Sequence, residues 1–249
     1  MFRGRKATAK ERGSAVTPLT TLGLGFVLGL RHAFDSDHLI AVSTIVTRER
    51  SPWRSLWIGL FWGAGHTLML LLVGLVVLGM KQKIPTSVEM SLECLVGVML
   101  VGLGLATLID WWRRRVHVHS HHHDGAAHTH FHAHAEEADH SHVHRLRLGV
   151  KPLVIGMVHG LAGSAALMLV ILATIPSPAL GFAYIGIFGV GSMLGMGLVS
   201  LLMGFFFSYS LPRLHNVSQT LRFATGVLSA AFGTWIVVDI GFVQGLFFG

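Results

Sequence analysis

The sequence predicts an all-α polytopic membrane protein, with six transmembrane helices arranged as two inverted three-helix repeats. Three observations lead there. The chain of 249 residues is 52% hydrophobic and 12% charged, with 30 glycines, and a soluble domain of that length would need far more polar surface. Several apolar stretches reach the ~20 residues that a helix needs to cross a bilayer. Glycine and acidic positions of the first half also recur, at near-constant offsets, in the second. The net charge of +7 does not imply nucleic acid, because the Lys and Arg residues sit in short clusters between spans. The single cysteine, Cys94, rules out an internal disulfide or a thiolate cluster. Within its apolar run it reads as a small packed residue.

Prolines set the element boundaries. All seven (Pro18, Pro52, Pro85, Pro152, Pro176, Pro178 and Pro212) fall at the starts of apolar runs or in the gaps before them. Proline is tolerated in the first helical turn and disfavoured in a helix interior. The spans so defined are roughly 18–47, 53–80, 86–112, 152–175, 178–208 and 218–247. Residues 1–17 form a basic tail. It looks like the n-region of a signal peptide, but no persuasive cleavage site follows, so it is expected to be retained. Residues 18–112 make the first repeat, 113–151 a polar loop and 152–249 the second repeat.

The loop holds twelve of the seventeen histidines: His117, His119, His121, His122, His123, His128, His130, His132, His134, His140, His142 and His144. Such a composition cannot bury a core, so a flexible segment is expected. Its imidazoles suit the capture, buffering or sensing of a soft-to-borderline cation.

The two halves repeat each other. Gly29-Leu30-Arg31-His32 is matched by Gly156-Met157-Val158-His159, and Gly63-Ala64-Gly65-His66 by Gly189-Val190-Gly191-Ser192. Gly97, Gly104 and Asp110 recur in register as Gly226, Gly233 and Asp239. Three spans per repeat is an odd number, so the second copy enters from the opposite side. That is a common carrier architecture, with the site near the midplane. Basic residues concentrate in gaps one, three and five, which predicts a cytoplasmic His-rich loop and both termini outside. The basic tail argues the other way.

The chain is organised around Arg31-His32-Ala33-Phe34-Asp35-Ser36-Asp37-His38, which places two histidines and two aspartates inside an apolar run. Ionisable groups within a span are costly and by default mark a pathway or binding site, and imidazole with carboxylate suits a divalent transition metal. On an ideal helix His32, Asp35 and His38 share one face while Asp37 points well away. Either the helix is unwound here, or one aspartate holds a ligand histidine by its other ring N–H. His66 follows Gly63-Ala64-Gly65, where another helix can approach closely, and is a candidate ligand. His159 takes the place of His32 in the second repeat and is equally balanced between ligand and packing residue. Ala162, Ser164 and Ala165 replace the rest of the motif there, so the site is expected to be asymmetric. Trp53, Trp57, Trp111 and Trp112 fit interfacial belts.

The motif of His32, four residues, then Asp37-His38 closely resembles the signature of the nickel/cobalt transporter family. That family follows it with a Gly-His pair in the next helix, similar to Gly65-His66 here. The resemblance covers roughly the first two spans, while the His-rich loop looks like that of related nickel/cobalt efflux proteins. It implies that His32, Asp37, His38 and His66 recognise Ni²⁺ or Co²⁺, with Asp35 also on the family pattern. The second half lacks the family's acidic motif, which resembles instead the shorter six-span branch of urease-accessory-type permeases.

The expectation is a multi-pass protein of a bacterial inner membrane that is not an enzyme. It would carry Ni²⁺ or Co²⁺ as substrate, most simply inward, with no prosthetic group. Metallochaperones of nickel enzymes are candidate partners, and no Gly-Lys-Ser/Thr nucleotide loop is present. The rivals are metal efflux, a membrane metal sensor, and a bis-histidine haem protein of electron transfer.

Overall fold

The computed structural model describes residues 17–47, 49, 51–80, 85–115, 118–123, 126–131, 144–161, 175, 177–210 and 215–248. Helix α1, Pro18–His32, opens with proline at its first position, and the Thr17 hydroxyl accepts the Thr20 N–H at 3.3 Å. It ends inside the His/Asp stretch. Phe34 and Asp35 donate their N–H groups back to Arg31 and His32 in a tight turn, and α2, Ser36–Val46, restarts with Asp35 as its extended N-cap. The first predicted span is therefore a broken helix. The others described are α3 (Pro52–Met80), α4 (Thr86–Arg115), α5 (His144–Gly160), α6 (Pro178–Phe205) and α7 (His215–Val238). Helices α6 and α7 each run on into a π-helical turn, Phe206–Ser210 and Asp239–Val243.

One expectation needs correction. Proline does not mark the start of α5: Pro152 lies inside it, and the helix begins at His144, within the stretch assigned to the loop. Proline removes one rung of the hydrogen-bond ladder, and packed membrane helices tolerate that where neighbouring groups satisfy the freed carbonyl. The His-rich segment contains a two-stranded hairpin among its described residues. Strands β1 (Val118–His123) and β2 (Ala126–Phe131) pair antiparallel, with His119 opposite His130 and His121 opposite His128.

Among the described residues, four helices are long and apolar enough to cross a membrane: Pro52–Val76, Thr86–Arg113, Pro178–Tyr209 and Ser218–Val243. With 15 and 11 residues, α1 and α2 are each too short to do so alone. The chain is turned inside out relative to a soluble protein. Leu68, Leu72, Leu75, Val98, Leu105, Leu198 and Trp235 are exposed, whereas His38, His66, Ser192, Ser200 and Ser229 are buried. With lipid as the solvent, small residues let helix backbones meet and polar side chains join them.

The packing obeys a reciprocal rule. Helix α1 lies on α6 as α5 lies on α3, while α3 pairs with α6 and α4 with α7. A Cβ at Gly29 would collide with the Phe188 carbonyl, and one at Gly156 with the Trp62 carbonyl. Gly97 approaches Gly233, and Gly104 approaches Gly226, so α4 and α7 run antiparallel. Two hydroxyls tie the halves together: Ser229 donates to the Leu100 carbonyl at 2.8 Å, and Thr67 reaches the Gly189 carbonyl at 3.1 Å. At the end of α2, Arg222 Nε donates to the Thr47 carbonyl at 3.1 Å.

Candidate metal centre

The break between α1 and α2 does what a regular helix cannot. His32 is the last residue of α1, while Asp37 and His38 lie in the first turn of α2. The intervening turn brings the His32 and His38 rings to 4.5 Å, centroid to centroid. The α3 helix adds His66, whose ring lies 5.1 Å from His32 and 5.4 Å from His38. At the end of α5, Gly160 sits directly against the His66 backbone, and that close approach places His159 4.1 Å from His38. His38, His66 and His159 are 1%, 0% and 1% exposed, so all three lie out of reach of the surface.

The two aspartates hold different rings. Asp35 Oδ2 lies 2.7 Å from His32 Nδ1. Asp37 takes two partners, His159 Nε2 at 2.8 Å and His38 Nδ1 at 3.2 Å. An ionised carboxylate can only accept, so each imidazole contributes an N–H. With its Nδ1 engaged, each of His32 and His38 presents a bare Nε2. Those two atoms, both ring nitrogens of His66 and Nδ1 of His159 are buried with no hydrogen-bond partner. A buried polar atom left unpaired costs about 1–3 kcal/mol, and a coordinated cation would remove that cost at the nitrogens it binds, one per ring. Asp35 and Asp37 keep 54% and 31% side-chain exposure, so the acidic edge of the cluster is also its open edge.

Two sets of potential ligand atoms lie within 4.8 Å of one another: His32, His38 and His66, and Asp37, His38 and His159. Nitrogens bound to one ion at about 2.1 Å lie at most about 4.2 Å apart, so the set of His32, His38 and His66 needs only a small contraction to close, whereas in the other set a ring nitrogen that donates to Asp37 must first give up its proton to bind an ion. Thus all six of the predicted site residues, His32, Asp35, Asp37, His38, His66 and His159, meet in one cluster.

The structure adds two walls that the sequence did not suggest. Trp62 is fully buried, with its ring 6.4 Å from His38 and 5.7 Å from His159, and Phe188 stands 5.6 Å from His32. The available signal was that Trp62 precedes His66 by one helical turn and so shares its face. Of the four tryptophans expected at interfacial belts, Trp53, Trp57 and Trp112 are exposed, whereas Trp111 is half-buried against Phe223, ring centroids 4.8 Å apart.

Of the loop histidines, His119, His121, His122 and His123 lie on β1, His128 and His130 on β2, and His144 opens α5. His117, His132, His134, His140 and His142 fall outside the described residues, as do residues 1–16 and Ala162, Ser164 and Ala165.

A family model described as NicO, high-affinity nickel-transport protein, matches residues 19–244. The chain is 40% identical over 231 residues to the urease accessory protein UreH of Bacillus sp. (strain TB-90), which is 92% of this chain and 95% of that one. It is 24% identical over 222 residues to the chloroplast protein FOR GROWTH AND FERTILITY 1 of Arabidopsis thaliana, 89% of this chain and 60% of the relative. A shorter match, 34% identical over 91 residues, joins 34% of this chain to 23% of the cobalt transport protein NhlF of Rhodococcus rhodochrous. No solved structure matches.

Proposed function

The chain belongs to the family of high-affinity nickel-transport proteins, and from that premise we propose that it is a secondary carrier taking up Ni²⁺ or Co²⁺ by alternating access. The observation that carries the reading is the convergence of buried, unpartnered imidazole nitrogens from His32, His38 and His66. Imidazole is a good donor for divalent nickel and cobalt. Asp37 offsets part of the ion's charge and Asp35 orients His32. His159 supplies the contribution of the second half.

The reciprocal glycine contacts support the inverted repeat. Equivalent helices α4 and α7 lie antiparallel, with the contact of Gly104 and Gly226 mirrored by that of Gly233 and Gly97. In a six-span layout α1 and α2 together make the first crossing, and α5 begins the fourth. Broken helices at the repeat interface are where carriers bind their ions. Uptake needs no nucleotide, because moving a divalent ion down an inward-negative potential gains about 4.6 kcal/mol per 100 mV, twice the single-charge value. A relative named as a urease accessory protein fits supply of metal inward, to metallochaperones and enzymes behind a bacterial inner membrane. The His-rich segment would then meet the ion on the cytoplasmic side. The carboxylates beside His32 and His38, at 2.7 and 3.2 Å, favour a divalent cation over the haem alternative.

Radioactive Ni²⁺ flux into proteoliposomes under an imposed potential tests the proposal. Inward-negative potential should drive accumulation, and His38→Ala should abolish it. Folded protein that passes no ion, or an unaltered rate in His38→Ala, defeats the reading.

A further inference from the structure

The site residues fall into two overlapping groups of ligand atoms. His32, His38 and His66 form one group of three ligand atoms, Asp37, His38 and His159 another, and the two share His38 alone. The His38 ring lies 4.5 Å from His32 and 4.1 Å from His159, whereas His66 and His159 stand 6.3 Å apart. We infer, resting on the transport reading above, that the ion takes two alternative overlapping positions and passes between them by ligand exchange at His38.

Three features of the geometry carry this. The first position is built entirely from α1, α2 and α3, and the second needs His159 from α5. A rocking of one half against the other therefore leaves the first position intact and makes or breaks the second. Secondly, the donor sets differ: three nitrogens at one, two nitrogens and a carboxylate oxygen at the other. The ion's ligand field changes as it moves, and the anionic oxygen is met only where both halves touch it. Thirdly, His38 turns Nδ1 toward Asp37 at 3.2 Å and leaves Nε2 buried and unpartnered. A neutral imidazole has one lone-pair nitrogen at a time, so His38 serves either position and never both. One ion occupies the pair.

The test is Co²⁺ titration of the full-length protein in lipid nanodiscs, read by visible d–d absorption, beside Co²⁺ flux in proteoliposomes. His38→Ala, which lacks the shared ligand, supplies the background from the His-rich segment. Wild type should bind one Co²⁺ per chain above that background. His66→Ala and His159→Ala should each still bind one, with spectra that differ from one another, while flux falls about 10–100-fold. His66→Asn and His159→Asn repeat the comparison with a polar side chain, should an alanine variant fail to fold. Loss of binding in both folded single variants means one shared shell and overturns the relay. Two ions bound above background in wild type overturn it as well. Wild type that binds no Co²⁺ or Ni²⁺ above background would instead defeat the transport reading itself, so the two failures are distinguishable.

Discussion

Asp37 and His159 meet across the two halves of the chain, carboxylate Oδ2 to imidazole Nε2 at 2.8 Å. The other oxygen of Asp37 lies 3.2 Å from His38 Nδ1. One carboxylate thus orients two almost wholly buried rings, one from the broken first span and one from α5. The contact exists because α1 stops at His32 and α2 restarts at Ser36, which swings Asp37 toward the second half.

Replacing Asp37 with Asn keeps the shape but offers one accepting oxygen where the carboxylate offers two. One of the two rings then loses its partner, and the negative charge disappears. The expected outcome is a 10–100-fold fall in the initial rate of Ni²⁺ flux, the range typical when a residue orienting metal ligands is lost. Thermal unfolding should shift little by comparison. A normal rate in Asp37→Asn would show that the carboxylate neither orients nor neutralises.

Asp35 holds only His32, at 2.7 Å, and is the more exposed of the two acids. Its loss frees one ring of the tri-imidazole set and leaves the contact with His159 untouched. Asp35→Ala should therefore raise the half-saturating Ni²⁺ concentration about tenfold and leave most of the maximal rate. If both aspartate variants lose the maximal rate alike, Asp35 does more than hold His32.

The site was legible because polar residues stand out in an apolar run. His32, Asp35, Asp37 and His38 occupy a short stretch in which an unbroken helix cannot aim them all inward, so helix geometry already posed the break as one of two solutions. His159 was reachable through the repeat, by its register with His32. What misled was composition. The opening of α5, His144-Arg145-Leu146-Arg147, is polar and reads as loop, although a helix projecting beyond the apolar layer has no need of apolar residues. Trp62 gives no such signal, because tryptophan in a membrane chain points to the interface first. Its burial depends on α5 packing on α3 through Gly156, a contact between helices that no local pattern records.

The glycine contacts make a sharp stability prediction. A Cβ at Gly29 or Gly156 would meet the backbone carbonyl of Phe188 or Trp62, and a backbone cannot rotate aside as a side chain does. Gly29→Ala and Gly156→Ala should each destabilise the protein by about 1–3 kcal/mol, as overpacking does. At Gly102 and Gly186 an added methyl group would meet nothing within 4 Å. Alanine there should be neutral or stabilise by up to about 1 kcal/mol through helix propensity. Thermal denaturation of the four variants in one lipid–detergent mixture checks this, and a uniform response would remove close helix approach as the reason for these glycines.

Removing the His-rich segment would separate metal capture from passage. The cluster at His32, His38, His66 and His159 is assembled by α1, α2, α3 and α5, and none of its described contacts comes from β1 or β2. Replacing residues 116–143 with a Gly/Ser linker of equal length preserves the reach between α4 and α5 and removes every loop histidine except His144. Flux at saturating Ni²⁺ should persist, because the ion's route through the helices is unchanged. The rate at scarce Ni²⁺ should fall, because imidazoles that concentrate the ion near the mouth are gone. Uptake measured across a range of Ni²⁺ concentrations distinguishes the two effects. Loss of flux at every concentration in a folded protein would place the segment on the route itself.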